Sequence, residues 1–83
     1  MIRTEELARR IAVLRKQKGL TQSALAEKMD VTPQAVSKWE TGRAMPDLSH
    51  VDELAAVLSV EVTYLLWGQE EKLKSSVERN TIS

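Results

Sequence analysis

No cysteine occurs anywhere in the 83-residue chain. Disulfide frameworks, thiolate zinc sites, iron–sulfur clusters and cysteine nucleophiles are thereby excluded, and a reducing compartment is compatible with the composition. There is a single histidine, His50. With no phosphate loop and no paired metal-ligand spacing beside it, no acid–base or metal constellation can be assembled, so neither an enzyme activity nor a cofactor is expected. Long apolar runs are missing as well: none approaches the roughly 18 to 20 residues of a membrane span, and Met1-Ile2-Arg3-Thr4-Glu5-Glu6 lacks the basic-then-apolar order of a secretory signal. The expectation is a soluble, cytoplasmic protein with no membrane partner. Glycine and proline are scarce, at three and two residues. The 42% hydrophobic and 29% charged fractions match a helix-rich globular domain, not a disordered chain. The length leaves room for one core and no second domain.

Net charge is also absent, twelve basic residues standing against twelve acidic, but its distribution is uneven. Residues 1–43 hold nine basic and five acidic side chains, a balance of +4, and residues 44–83 hold three and seven, a balance of −4. An anionic ligand is therefore sought in the first half.

What is present is helical periodicity. Leu7, Ile11 and Leu14 fall on one stripe of a helix from Glu5 to Lys18, with Thr4 placed to cap it, Glu5 and Glu6 in its first turn and Gly19 to stop it. Thr21 caps a short second helix, Gln22 to Met29, and Thr32-Pro33 opens a third that runs to about Glu40. Asp47 caps a fourth, whose stripe is Leu48, Val51, Leu54, Ala55 and Leu58. A last short helix is expected from Val62 to Trp67, ended by Gly68. This predicts an all-α domain of five helices over residues 1–68. Residues 69–83 form a polar tail, where Glu70 with Lys74 and Leu73 with Val77 support at most a marginal helix.

Two short helices joined by about three residues must cross steeply, as in a helix-turn-helix. Ala26 sits where the two backbones approach, Leu25, Val31, Val36 and Trp39 are spaced to fill the core beneath, and polar residues occupy the opposite face of the second helix. The stretch from Leu20-Thr21-Gln22-Ser23-Ala24-Leu25-Ala26 through Val36-Ser37-Lys38-Trp39-Glu40-Thr41-Gly42-Arg43 resembles the phage repressor and Cro-type helix-turn-helix family, often called the XRE family. The resemblance extends over about residues 6 to 68, from Leu14-Arg15-Lys16-Gln17-Lys18-Gly19 to Met45-Pro46-Asp47-Leu48 and Leu65-Leu66. It implies a compact lambda-repressor-like fold with Pro33 to Glu40 as the recognition helix.

The same resemblance implies residue roles. Thr32, Gln34, Ala35, Ser37 and Lys38 would face the bases, with Gln34 suited to adenine, Lys38 to guanine and Ala35 to a thymine methyl. Gln22, Ser23, Thr41 and Arg43 would contact phosphates, Gln22 at a helix N-terminus that holds anions on physical grounds alone. Arg15 and Glu40 would form a partly buried ion pair. Thr32 and Pro33 also serve as capping residues, Trp39 reads as core and His50 as a surface residue. The chain departs from the family pattern at Asp30, which stands where the turn usually has glycine, and in its neutral charge, which implies weak nonspecific DNA binding.

The expected function is a sequence-specific double-stranded DNA-binding regulator, a repressor reading a pseudo-palindrome as a homodimer. Tyr64, Leu65, Leu66, Trp67, Leu73 and Val77 are the candidates for the dimer surface, against the alternative that Leu65 and Leu66 close the core. A reading from a different class stays open: a protein-interaction module such as an antitoxin subunit or bridging factor. If the chain is complete, it has no room for a ligand-sensing domain, and control would come from concentration, a protein antagonist or proteolysis.

Overall fold

Most helix boundaries among the described residues rest on local chemistry that can be read residue by residue. The computed structural model describes residues 3–68, and within them the helices are α1 (Thr4–Gln17), α2 (Gln22–Met29), α3 (Pro33–Thr41), α4 (Leu48–Leu58) and α5 (Val62–Trp67). No strand occurs among the described residues. The polar tail, with its candidates Leu73 and Val77, lies outside them.

Three starts are capped by a side chain: Thr21 accepts from the Ala24 amide, Thr32 from that of Ala35 and Asp47 from that of His50. Thr4 is a correction. Helix α1 begins one residue earlier than the cap assignment required, with Arg3 in the N-cap position. The Thr4 hydroxyl instead donates to Met45 Sδ at 3.7 Å, tying the start of α1 to the loop after α3.

The first four helices end in one way. Gly19, Asp30, Gly42 and Ser59 all have left-handed backbones, and the amide that follows each reaches back five residues: Leu20 to Arg15, Val31 to Ala26, Arg43 to Lys38 and Val60 to Ala55. These are Schellman ends, which satisfy carbonyls that the last turn leaves unpaired. Leu20, Val31 and Val60 then pack against the core as half-buried residues, so each reversal is fastened by an apolar contact. Asp30, at φ 57° and ψ 43°, adopts the conformation expected of it, and Ser59, at φ 63°, carries the same strain. Asp30→Gly and Ser59→Gly are each expected to stabilise the domain by about 0.5 to 1 kcal/mol, the relief of the Cβ clash outweighing the added freedom of the unfolded chain. A thermal melt showing neither variant above the parent would refute this.

Helix α3 packs on both α1 and α2, α4 packs on α2, and α5 closes the bundle against α1 and α4. The core is built from Leu7, Ile11 and Leu14 of α1, Leu25, Ala26 and Met29 of α2, Val36 and Trp39 of α3, Val51, Leu54, Ala55 and Leu58 of α4, and Leu65 of α5. Leu48 is a second correction: it is 84% exposed, because as the first residue of α4 it lies beyond the stretch that meets the other helices. No helix among the described residues is long and apolar enough to cross a membrane.

Candidate nucleic-acid interface

The tertiary contacts of α3 leave one side of it exposed. Gln34 and Lys38 are exposed and Ser37 is half-buried, and together with Thr41 and Arg43 they line one shallow concavity. Five of the nine residues assigned to DNA contact are thus gathered on one surface. Thr32 and Ser23 are exposed and Gln22 is half-buried, and none of the three lines that concavity. Ala35 packs partly against the core.

Hydrogen bonding decides what these side chains have left to offer. The Thr41 hydroxyl donates to the Ser37 carbonyl at 3.0 Å and to that of Lys38 at 3.3 Å, so its one proton is engaged and only its lone pairs face outward. The Thr32 hydroxyl oxygen already accepts the Ala35 amide at 3.1 Å. Gln22 donates through Nε2 to Glu40 Oε1 at 3.0 Å, which leaves the second N–H of its amide for an anion. Lys38 and Arg43 supply the two cations of the concavity.

Behind this surface stands the ion pair. Arg15 Nε lies 2.6 Å from Glu40 Oε2 and Arg15 Nη2 lies 3.0 Å from Oε1, a bidentate fork, while Nη1 donates to the Leu20 carbonyl at 2.7 Å. The two side chains are 10% and 6% exposed. Hydrogen bonding to Glu40 raises the Arg15 guanidinium above its ordinary value and outweighs the opposing effect of burial. One carboxylate therefore joins the end of α1, the start of α2 and the end of α3. The pair was expected; its extension to Gln22 and to Leu20 was not, since neither follows from spacing.

Two further contacts escaped the sequence reading. Arg10, placed off the apolar stripe of α1, donates through Nη1 to the Leu65 carbonyl at 2.8 Å, and a Cβ at Gly68 would sit 2.7 Å from its Nη2. It ties α1 to the last turn of α5. His50 is no plain surface residue: its ring meets that of Trp39 with centroids 5.3 Å apart. Among the dimer candidates, Leu65 is corrected to a core residue, fully buried by the bundle's own helices. Tyr64 and Leu66 are half-buried against the same core, and Trp67, 41% exposed, is the most accessible of the four.

Comparison with known proteins places this geometry. The helix-turn-helix family model HTH_3 matches residues 11–65. The HTH-type transcriptional activator BcrR of Enterococcus faecalis is 37% identical over 65 residues, covering 78% of this chain and 32% of its own length. The 26 kDa repressor protein of Escherichia phage HK022 is 35% identical over 65 residues, covering 74% of this chain and 28% of that protein. The chain thus spans about a third of the length of these curated relatives. Among solved structures, the P22 c2 repressor protein in complex with a synthetic operator superposes with a TM-score of 0.72 at 31% identity, covering 75% of this chain and 94% of that one. With its two short crossed helices, its left-handed turn at Asp30 and its match to the family over most of its core, the chain belongs to the helix-turn-helix family of the phage repressor and Cro type.

Proposed function

We propose that the chain binds double-stranded DNA sequence-specifically and regulates transcription, acting as a repressor that occludes promoter DNA as a homodimer. The observation that carries this reading is the gathering of Gln34, Ser37, Lys38, Thr41 and Arg43 along one concavity of a helix whose end is joined to α1 by a buried ion pair. Helix α3 has the width to enter a major groove, where Gln34 can pair with adenine and Lys38 with the acceptors of guanine. Arg43, just beyond its end, and the N-terminus of α2 with Gln22 and Ser23 then reach the flanking phosphates. The basic balance of residues 1–43 supports this side as the one that meets a polyanion. One such domain buries too little surface for tight binding, so two copies on half-sites about one helical turn apart are expected. Trp67, with the half-buried Tyr64 and Leu66, is the surface we assign to join them; Val13, Met45 and Leu48 are exposed as well.

The test is selection of bound duplexes from a random library at about 0.1 M salt, where nonspecific attraction is screened. Enrichment of a pseudo-palindrome is expected, with the Gln34→Ala, Lys38→Ala double variant weakened by about 2 to 6 kcal/mol, the sum of two base contacts at roughly 1 to 3 kcal/mol each. Folded protein that enriches nothing would instead favour the partner-binding module.

A further inference from the structure

Trp39 lies on α3 between Lys38, which faces the concavity, and Glu40, which holds the ion pair. Its indole is buried, and the His50 imidazole from the first turn of α4 covers it, centroids 5.3 Å apart and planes inclined by 45°. That separation lies within the range of favourable ring contacts. His50 is itself held in place. Its Nδ1 lies 3.1 Å from Asp47 Oδ1, and the same oxygen accepts the His50 backbone N–H at 2.9 Å and the Ser49 hydroxyl at 3.0 Å. The backbone N–H of His50, followed by the Ser49 hydroxyl, holds the Asp47 carboxyl below its ordinary range, so it is a full acceptor at neutral pH. The imidazole remains 31% exposed, so water reaches it and protons exchange.

Beyond its core packing on α1 and α2, helix α3 is therefore met by two further devices: Arg15 of α1 through Glu40, and His50 of α4 through Trp39. We propose that His50 is a positioning residue for the recognition helix, bracing it through Trp39 so that Gln34 and Lys38 stay in register with the bases; this rests on the DNA-binding reading above. From α4 the imidazole faces Asp47 and Ser49, and from α3 it faces the uncharged Trp39. No other ion pair or hydrogen bond reaches the ring among the described residues.

Two measurements on the full chain test this. In a Trp67→Phe background Trp39 is the sole indole, and its emission should shift when His50→Ala removes the ring that covers it and return toward the parent's in His50→Phe. In the parent background, affinity is measured for the selected operator and for a duplex altered at the base pairs facing Gln34 and Lys38. His50→Ala should weaken operator binding about fivefold, the size of an indirect coupling, and leave binding to the altered duplex unchanged. His50→Phe, which keeps a ring on Trp39, should restore the operator to within about twofold of the parent. If His50→Ala does not fold, His50→Gln removes the ring and keeps a donor for Asp47, and it should lose the same factor. Equal loss on both duplexes, unchanged operator affinity, or Trp39 emission that His50→Ala leaves unchanged overturns the proposal. Should no duplex be selected at all, the DNA reading fails, while the emission still reports on the brace.

Discussion

Glu40→Ala is expected to destabilise the domain by roughly 3 to 5 kcal/mol, because it leaves the Arg15 guanidinium buried without its counter-charge. The Coulombic attraction itself is not the main reason: forming the pair required stripping water from both groups, and that cost stays on Arg15 when Glu40 is cut away. The Arg15 bond to the Leu20 carbonyl survives, but Nε and Nη2 lose their acceptors and Gln22 loses the oxygen that orients it. The partner experiment separates cost from gain. Arg15→Met combined with Glu40→Leu removes both charges and should return most of the lost stability, since well-packed apolar replacements of buried pairs are often neutral or better. Urea unfolding of the two single variants and the double decides it, and a Glu40→Ala midpoint equal to the parent's would sink the interpretation. The double variant, though stable, should still bind DNA less well, because nothing then ties Gln22 to the end of α3.

Leu65→Ala is expected to cost about 2 to 5 kcal/mol through lost burial and the cavity left behind. Leu65 is fully enclosed by the single chain, so the loss should be independent of protein concentration. Trp67→Ala should behave in the opposite manner, melting like the parent when dilute and below it at concentrations where the parent dimerises. Against a total stability of roughly 5 to 15 kcal/mol for a folded domain, the Leu65 variant is a substantial loss. A Leu65→Ala protein that melts like the parent when dilute, and differs only when concentrated, would return this residue to the interface.

The contrast between Leu65 and Trp67 shows what sequence alone could convey. Stripes, caps and stop residues are local, so the extents of α2, α4 and α5 were legible from them, while the left-handed Asp30 was legible only through the family's turn. The Arg15–Glu40 pair was legible only through the family resemblance, since 25 residues separate its members. Within the run Tyr64-Leu65-Leu66-Trp67 four apolar neighbours look alike, and which one points inward depends on how α5 meets α1 and α4. The same holds for Leu48, whose place on the stripe says nothing of whether a neighbouring helix extends that far. Ser59 at a left-handed position passed unnoticed because serine, unlike glycine, does not announce one. Arg10 and His50 were misjudged for a shared reason: each is a polar residue that would look at home in solvent, and each is engaged by an acceptor or ring from another helix. Along the concavity, spacing marked Gln34, Ser37 and Lys38 as polar and the resemblance added Thr41 and Arg43, but the engagement of the Thr41 proton by its own helix required coordinates.

The Schellman end of α3 carries a consequence for the kinetics of recognition. Because the Arg43 amide is bonded to the Lys38 carbonyl at 2.9 Å, the backbone of Arg43 is fixed to that of α3. Under the proposed DNA-binding reading, the turn that carries Arg43 is already formed on contact, so association should be set by diffusion and charge, and it should be similar for right and wrong sequences. Discrimination then resides in how long each complex survives, and a cognate site is distinguished by its residence time.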